Sequence, residues 1–212
     1  MFDDITVIIC CAGMGTRLGI GTTKALVNVC GKPIILHQMD AFKQVSDIRI
    51  VVGFQAERLI EVVNRERKDI MYAFNYDFQS TGQAESLSKA LIGLKKYTVI
   101  VDGDALYNPE DLLELLSYKG ECLGICPIYS DEPIYANTSN EYVTELNENY
   151  GEVEYSCIAK VLSDNLKKSK GQVYEMLNKL LPIHSITVRT RDIDTPDDYN
   201  RLIEWYEGGC ID

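Results

Sequence analysis

The apolar run at residues 5–11 constrains the fold more than any other feature of the sequence. A run without polar alternation is typical of a strand that is buried on both faces, as in a parallel sheet covered by helices. It leads directly into a glycine-rich turn at residues 12–19. Because open α/β sheets bind ligands at the carboxyl ends of their strands, this turn is the first candidate for a functional site.

Further along the chain, strand-like apolar runs alternate with helix-like segments. Strands are predicted at residues 25–29, 47–53, 70–74 and 97–101, and helices at residues 33–43, 57–67, 83–94 and from 109 onward. This alternation predicts right-handed βαβ crossovers and a Rossmann-like, mostly parallel mixed sheet flanked by helices. The predicted fold class is therefore α/β.

Between about residues 123 and 160 the pattern changes and predicts a small antiparallel insertion that extends over the edge of the sheet. Its short strand-like pieces lie at residues 123–128, 142–146 and 154–159. A strand at residues 183–188 precedes a last helix, with Thr195 as the predicted N-cap and Pro196 as the first helical residue. Because we find no linker or repeat, we interpret residues 1–212 as one domain that carries this insertion.

The composition limits the classes of partner. Lys and Arg number 21 and Asp and Glu number 32, which gives a net charge of −11. Such a surface repels a polyphosphate backbone, so a nucleic-acid partner is not expected. No apolar run approaches the roughly 18 residues of a membrane span, and the first residues lack the basic region of a signal peptide. We therefore predict a cytoplasmic protein without a membrane partner, and a homodimer is compatible with the sequence.

The seven cysteines form an odd set without the spacing of a secreted disulfide framework. Cys122 and Cys126 have a spacing that suggests a metal pair, but no His or further Cys pair lies nearby in the sequence. We interpret the cysteines as reduced thiols that are buried like small apolar side chains.

The glycine-rich turn carries the first chemical signal. A buried strand that ends in Gly13-x-Gly15 lets backbone N–H groups approach phosphates, and Arg17 and Lys24 add positive charge. Such a turn can also be only a tight strand-to-helix connection. It lacks the third glycine of a dinucleotide fingerprint and does not match a P-loop. Residues 52–55 hold no acidic residue to bind a ribose, which disfavours an NAD-dependent dehydrogenase.

Four segments resemble, in order, the motifs of the GT-A-like (MobA-like) NTP transferase family. They are residues 12–18 with Lys24 and the turn 31–34, residues 81–87, residues 102–104, and residues 193–199. The first resembles the phosphate-binding signature of the family and the second its base-recognition turn. The third is similar to its metal-binding strand end and the fourth to its late acidic motif. The pattern is closest to that of short cytidylyltransferases such as choline-phosphate cytidylyltransferases.

The resemblance implies a GT-A-like nucleotidyltransferase that uses Mg²⁺ to transfer a nucleotidyl group from an NTP to a small phosphorylated acceptor, with release of pyrophosphate. It implies that Arg17 and Lys24 are the catalytic cations and that Asp104 and Asp194 bind the metal. A role for Asp194 in capping the following helix is the alternative. The implied nucleotide-binding residues are Ala12, Gly13, Met14, Gly15, Thr16, Gly82, Gln83, Ser86 and Asp102.

Two features favour CTP as the nucleotide. The interval from Arg17 to Lys24 resembles that of the short-loop cytidylyltransferases and is shorter than the loop typical of sugar nucleotidylyltransferases. Ser86 stands one turn into the helix that follows Gly82, where it resembles the serine with which cytidylyltransferases bind the edge of a pyrimidine. CTP is therefore the predicted nucleotide partner.

The insertion predicts the kind of acceptor. Residues 131–154 hold seven acidic residues, interleaved tyrosines and no Lys or Arg. An acidic and aromatic surface attracts an ammonium group and can hold it by cation–π contact. We therefore expect phosphocholine, phosphoethanolamine or an aminoalkylphosphonate such as aminoethylphosphonate. The predicted acceptor-binding residues are Tyr150, Glu152, Glu154 and Lys160.

Three alternatives stay open at this point. The acidic segment can be a solvated loop that binds no ligand. The acceptor can be a sugar 1-phosphate or a polyol phosphate instead of a cationic molecule. The chain can also be a catalytically silent, nucleotide-binding subunit, although a fold that only binds a nucleotide has no need of Asp104 and Asp194 as a metal pair.

Overall fold

A computed structural model describes residues 1–19 and 21–210. Its strands are β1 (Phe2–Cys11), β2 (Asn28–Val29), β3 (Lys32–Pro33), β4 (Val45–Val52), β5 (Met71–Phe74), β6 (Tyr97–Asp102), β7 (Leu106–Tyr107), β8 (Cys122–Cys126), β9 (Tyr135–Ser139), β10 (Tyr142–Asn147), β11 (Val153–Leu162), β12 (Ile183–Thr187) and β13 (Thr190–Arg191). Its α-helices are α1 (Ile34–Ala41), α2 (Ala56–Glu66), α3 (Gln83–Ser88), α4 (Pro109–Ser117), α5 (Val173–Leu177) and α6 (Pro196–Glu207). None of the helices in these described residues is long and apolar enough to span a membrane.

The main sheet orders its strands β5-β4-β1-β6-β11-β8-β12-β10-β9. β1 pairs in parallel with β4 on one side and with β6 on the other, and β4 pairs in parallel with β5. β11 then joins β6 in the antiparallel direction. The predicted α/β fold, with a mixed sheet and flanking helices, is confirmed.

β1 lies inside the parallel part of the sheet and is covered on both faces. Val7 and Ile9 belong to a core that includes Leu59 of α2, whereas Ile8 belongs to a second core that includes Leu87 of α3. The side chains of Val7, Ile8 and Ile9 are fully buried. Because crossover helices cover both faces of a parallel sheet, a continuous apolar run is what this position requires.

The antiparallel insertion is continuous with the main sheet. β11 pairs with β6 and β8, while β9 pairs with β10 and returns to pair with β11. With β12 between β8 and β10, these pairings close five strands into a ring. The prediction of antiparallel strands is confirmed. The insertion extends the sheet beyond β6, its last parallel strand, because β11 hydrogen-bonds both to β6 and to β8.

Helix α3 is shorter than the helix predicted at residues 83–94, because it ends at Ser88. The guanidinium group of Arg49 in β4 donates hydrogen bonds to the carbonyl oxygens of Ala90 at 2.9 Å and Gly93 at 2.8 Å. Gly93 has a positive φ of 64°, which a helix does not allow. These carbonyl groups therefore point at Arg49 instead of continuing the helix.

Two other local predictions have different outcomes. The predicted strand at residues 25–29 is a strand only at its end, because Lys24–Leu26 forms a single turn of 3-10 helix before β2 begins. The predicted start of the last helix is confirmed. The Thr195 hydroxyl accepts a hydrogen bond from the Asp198 N–H group at 3.2 Å, and Pro196 is the first helical residue.

The seven cysteines all lie within the described residues and none of them forms a disulfide; four are buried as predicted. Two others are half-buried and Cys30 is exposed, so the interpretation of every cysteine as buried is wrong. The Cys122 thiol lies 3.6 Å from the carbonyl oxygen of Leu115, and the Cys126 thiol lies 3.7 Å from the carboxylate of Glu154. The two thiols thus have separate protein partners.

Replacing Arg49 with Met tests its role in joining β4 to residues 90–93. The side chain is buried and also pairs with Asp47 at 3.0 Å. Its removal leaves several acceptors without a donor, so we expect the free energy of unfolding in urea to fall by about 3 kcal/mol. The matched control is Arg65→Met, which removes an exposed pair with Glu61 and should cost at most about 0.5 kcal/mol. Equal losses in both variants would contradict this role.

Candidate active site

Three chain segments meet at the carboxyl ends of β1 and β6. They are the glycine turn after β1, residues 103–104 after β6, and residues 192–195 between β13 and α6. Since β1 and β6 are neighbours in the sheet, the first two turns lie side by side. The N–H group of Gly103 donates to the carbonyl oxygen of Cys10 at 3.1 Å, and a Cβ atom at Gly103 would lie 2.5 Å from Sγ of Cys11. This close approach requires glycine.

Lys24 connects these segments. Its Nζ atom lies 2.7 Å from Oδ2 of Asp104 and also donates a hydrogen bond to the carboxylate of Asp194. Burial alone would lower the pKa of Lys24, but the charges of the two carboxylates outweigh it and raise the pKa, so the side chain is an ammonium ion. Two carboxylates that are distant in the sequence therefore converge on one cation.

Gly15 leaves room for the Lys24 side chain. It has a positive φ of 58°, and a Cβ atom there would lie 2.7 Å from Cγ of Lys24. Arg17 approaches the same site, with Nη2 at 2.9 Å from Oδ1 of Asp194 and Nη1 donating to the carboxylate of Glu132. The two predicted catalytic cations thus both contact Asp194.

Asp102 lies beside this cluster at the end of β6. Gln83 donates a hydrogen bond to its carboxylate, so two predicted nucleotide-binding residues are in contact. Burial, followed by the charge of Asp104, raises the pKa of Asp102. The side-chain amide of Gln38 donates to the carbonyl oxygens of Asp102 at 2.7 Å and Ala105 at 2.8 Å. Gln38 therefore holds both ends of the turn that carries Asp104.

Asp192 is a site residue that the sequence reasoning missed. Its carboxylate accepts a hydrogen bond from the Tyr129 hydroxyl group at 2.9 Å, and it lines the same cavity as Asp104 and Asp194. Burial, followed by the charge of Asp104, raises the pKa of Asp192. One signal was available in the sequence, because residues two apart in an extended segment face the same side.

A cavity of about 310 Å³ lies against the glycine turn and α3. It is lined by every predicted nucleotide-binding residue except Met14. These residues are Ala12, Gly13, Gly15, Thr16, Gly82, Gln83, Ser86 and Asp102. Phe78 and Thr81 also line it, and the sequence reasoning had not selected either as a binding residue. We refer to it as the first cavity.

A second cavity of about 790 Å³ adjoins the first. Both cavities are lined by Arg17, Lys24, Gln83, Asp102 and Asp104. The insertion and α5 supply a further part of its wall, with Tyr129, Tyr135, Glu148, Glu154 and Tyr174. Among the described residues, Arg17 and Lys24 are the only Lys or Arg side chains that line this cavity. Its insertion side is therefore acidic and aromatic.

The predicted acceptor-binding residues separate in space. Glu154 is buried and lines the second cavity. Tyr150 and Glu152 are exposed on the connection between β10 and β11, outside the lining of that cavity. Lys160 is buried on β11, and its ammonium group donates to two backbone carbonyl oxygens at 2.8 and 2.7 Å. The structure thus brings Glu154 to the site and does not bring Tyr150, Glu152 or Lys160 there.

The arrangement suits phosphate chemistry with a divalent cation. Backbone N–H groups of a glycine turn and nearby Lys and Arg side chains bind oxyanions. In the part of the chain that the structure describes, no group of three or more His, Cys, Asp or Glu is placed to hold a metal. Mg²⁺ characteristically binds one or two protein carboxylates together with substrate phosphates, so Asp104 and Asp194 fit this ion. These features are typical of proteins that bind an NTP together with Mg²⁺.

Comparison with known proteins shows the family. The family described as the MobA-like NTP transferase domain matches residues 7–176. The chain therefore belongs to this family of nucleotidyltransferases, as its four motifs predicted. The matched region contains the glycine turn and Asp104, whereas Asp194 lies beyond it.

Curated relatives are longer than this chain. The bifunctional protein GlmU of Sulfurovum sp. (strain NBC37-1) is 31% identical over 132 residues, which cover 61% of this chain and 30% of that protein. The bifunctional protein GlmU of Methanococcus maripaludis is 26% identical over 211 residues, which cover 93% of this chain and 46% of that protein. The chain thus spans less than half the length of these two relatives.

Solved structures share the fold over almost their whole length. CTP:phosphocholine cytidylyltransferase (LicC) from Streptococcus pneumoniae has a TM-score of 0.77 and 19% identity, covering 96% of this chain and 99% of that chain. The inositol-1-phosphate CTP transferase from T. maritima has a TM-score of 0.79 and 16% identity, covering 98% of each chain. A putative glucose-1-phosphate thymidylyltransferase from Bacillus anthracis has a TM-score of 0.78 and 18% identity, covering 98% of this chain and 96% of that chain. The predicted nucleotidyltransferase fold is confirmed.

Gly15→Ala tests whether the glycine turn positions Lys24. The added Cβ atom would lie 2.7 Å from Cγ of Lys24, and we expect NTP turnover to fall about 100-fold because the ammonium group is displaced. The matched control is Gly19→Ala, where φ is also positive at 70° but, apart from its chain neighbours, no described residue has an atom within 4 Å of the added Cβ. Both variants should lose about 1–2 kcal/mol of stability from the backbone strain. Similar turnover in the two variants would contradict the positioning role.

Proposed function

We propose that the protein is a Mg²⁺-dependent cytidylyltransferase that transfers CMP from CTP to a small phosphorylated or phosphonate acceptor with a cationic end. The observation that carries the proposal is the convergence of Lys24, Arg17, Asp104 and Asp194 where the two cavities adjoin. In such an arrangement one cavity can hold the nucleotide and the other the acceptor, with both substrates next to the same charged groups.

The reaction needs little covalent participation by the protein. An oxygen atom of the acceptor phosphate or phosphonate attacks the α-phosphorus of CTP, a new P–O bond forms, and the bond to the β-phosphate oxygen breaks. Pyrophosphate leaves with that electron pair. An ionised acceptor is already a nucleophile at neutral pH, so the chain needs no general base.

The protein contributes positive charge and orientation. Negative charge builds on the leaving phosphates and around the α-phosphorus, and cations placed beforehand stabilise it. Arg17 and Lys24 are these cations in our proposal, and the backbone N–H groups of residues 13–16 hold the phosphates. When NTP phosphates enter, they compete with Asp104 and Asp194 for the ammonium group of Lys24. Mg²⁺ held by these two carboxylates would supply further positive charge at the phosphates.

The proposal of CTP rests on the first cavity. Ser86 and Gly82 both line it, and the Ser86 side chain offers a hydroxyl group to the base. Two structural neighbours act on CTP by their descriptions, the phosphocholine cytidylyltransferase from Streptococcus pneumoniae and the inositol-1-phosphate CTP transferase from T. maritima. Both descriptions support CTP as the proposed nucleotide.

The proposal of a cationic acceptor rests on the second cavity. On its insertion side the carboxylate of Glu148 accepts a hydrogen bond from the Tyr174 hydroxyl group at 2.9 Å. Glu154 and Tyr135 line the same side. Carboxylates next to aromatic rings attract an ammonium group by charge and by cation–π contact. In this proposal Glu148 and Tyr174 take the role toward the ammonium group that the sequence reasoning assigned to Tyr150 and Glu152.

A second candidate is transfer to a sugar 1-phosphate or a polyol phosphate. Its support comes from the neighbours described as an inositol-1-phosphate CTP transferase and a putative glucose-1-phosphate thymidylyltransferase. Neutral hydroxyl-rich acceptors need uncharged hydrogen-bonding groups. The acidic wall of the second cavity is the observation that makes us rank this candidate below the cationic acceptor.

A substrate panel tests the proposal directly. The protein is incubated with Mg²⁺ and each of ATP, CTP, GTP and UTP against phosphocholine, phosphoethanolamine, 2-aminoethylphosphonate, inositol 1-phosphate and glucose 1-phosphate, and pyrophosphate release is followed. We expect turnover with CTP and an amine-bearing acceptor, and none when Mg²⁺ is removed with a chelator. Turnover confined to sugar or polyol phosphates would exclude the cationic acceptor. CTP binding without any turnover would instead indicate a catalytically silent protein.

Glu148→Gln tests the acceptor end of the second cavity. Removing this negative charge should raise KM for a cationic acceptor about tenfold, with little change in kcat, because the lost attraction acts on binding. KM for CTP should not change. The matched control is Glu141→Gln, which removes an exposed charge from the same acidic segment outside the cavity lining. Equal effects of the two variants would indicate only a general loss of surface charge.

A further inference from the structure

Asn75 is a buried polar residue directly behind the first cavity. It follows the last residue of β5, is fully buried, and its N–H group donates to the carbonyl oxygen of Val52 at 2.8 Å. Its side-chain nitrogen lies 2.8 Å from the hydroxyl oxygens of both Thr81 and Ser86. Asn75 does not line the cavity, but both of its hydroxyl partners do. It therefore touches the proposed base site only through them.

The orientation of the Asn75 amide is determined by a backbone contact. The N–H group of Asp77 donates to Oδ1 of Asn75 at 3.2 Å. Since a backbone N–H can only donate, the amide oxygen must face it and the amide NH₂ group must face the hydroxyls. Both hydrogens of this group are then used, one on Thr81 and one on Ser86.

This arrangement determines the role of the Ser86 hydroxyl group. A hydroxyl has one hydrogen and two acceptor lone pairs, and Asn75 occupies one of the lone pairs of Ser86. Within the described residues, the hydroxyl hydrogen of Ser86 has the carbonyl oxygen of Gly82 as its acceptor, at 3.3 Å. That distance is long for an O–H···O hydrogen bond, whose usual length is about 2.7–2.8 Å. A base that offers a better acceptor can therefore take this hydrogen.

We propose that Asn75 is a positioning residue that selects the base, because it keeps Ser86 a hydrogen-bond donor toward the first cavity. This inference rests on the proposed function and deepens it. Cytosine presents two adjacent acceptors on its pairing edge, N3 and O2, whereas uracil carries a hydrogen on N3. Both bases carry the acceptor O2, so the discrimination comes from N3. A donor at residue 86 that bonds N3 accepts cytosine and meets a hydrogen in uracil, and it does so only while the amide of Asn75 faces the hydroxyl.

Asn75→Asp reverses this polarity with little change in shape. In this variant a carboxylate oxygen replaces the NH₂ group and accepts the hydrogen of Ser86, which leaves only lone pairs toward the base. We expect the ratio of kcat/KM for CTP to that for UTP to fall at least about tenfold, the effect of one hydrogen bond. The matched control is Asn64→Asp, which adds the same charge at an amide that accepts from Tyr72 at 2.9 Å outside both cavities. Its ratio should stay at the wild-type value.

A double-mutant cycle shows whether Asn75 acts through Ser86. In a Ser86→Ala background, Asn75→Asp should leave the CTP to UTP ratio within about twofold of that background, since the hydroxyl group is gone. Additive effects of the two substitutions would overturn the inference, as would an Asn75→Asp protein with the wild-type ratio. If Asn75→Asp does not fold, Asn75→Ala decides: an intermediate ratio supports the inference and a wild-type ratio overturns it.

Failure of the proposed function has a different signature. If the wild-type protein prefers another NTP, the proposal of CTP fails, and the same cycle is measured as calorimetric affinity for the preferred NTP. A loss of affinity in Asn75→Asp that disappears in the Ser86→Ala background still supports the link between the two residues. Independent losses overturn that link whatever the preferred base is.

Discussion

The contact of the Lys24 ammonium group with Asp104 and Asp194 is the interaction on which the site depends. Charged groups that are largely removed from water are costly unless they are paired, so the three side chains require one another. Through these contacts the segment after the glycine turn, the end of β6 and the segment before α6 are held next to one another. The position of Lys24 also explains why residue 15 is glycine, since any side chain there would meet Lys24.

The first and second cavities adjoin at this cluster, and their other walls come from different parts of the fold. The first cavity has walls from the glycine turn and α3, elements of the parallel half of the fold. The insertion, which the five-stranded ring joins to β6 through β11, provides walls of the second. In the proposed function, substitutions in the insertion therefore act on the acceptor side, and Glu132 is the insertion residue that contacts the shared cation Arg17.

The structure brings together the predicted site residues that belong to a motif with a local physical reason. Gly13, Gly15 and Lys24 follow a buried strand, and Asp104 follows another, so the parallel order of β1 and β6 brings them together. The structure does not bring Tyr150, Glu152 or Lys160 there, because the first two lie in the exposed connection between β10 and β11 and the third is oriented by the pairing of β11. A composition argument counts such residues but does not determine which way they face.

The sequence by itself determined the α/β class and the family, because apolar runs and glycine turns act over a few neighbouring residues. Tertiary structure decided what depends on distant partners. Arg49 ends α3 early by taking carbonyl groups near residue 90. Asp192 enters the site through a hydrogen bond from Tyr129, 63 positions away in the chain. Whether a side chain in the insertion reaches a cavity is set by strand register, because a shift of one residue turns it to the other face.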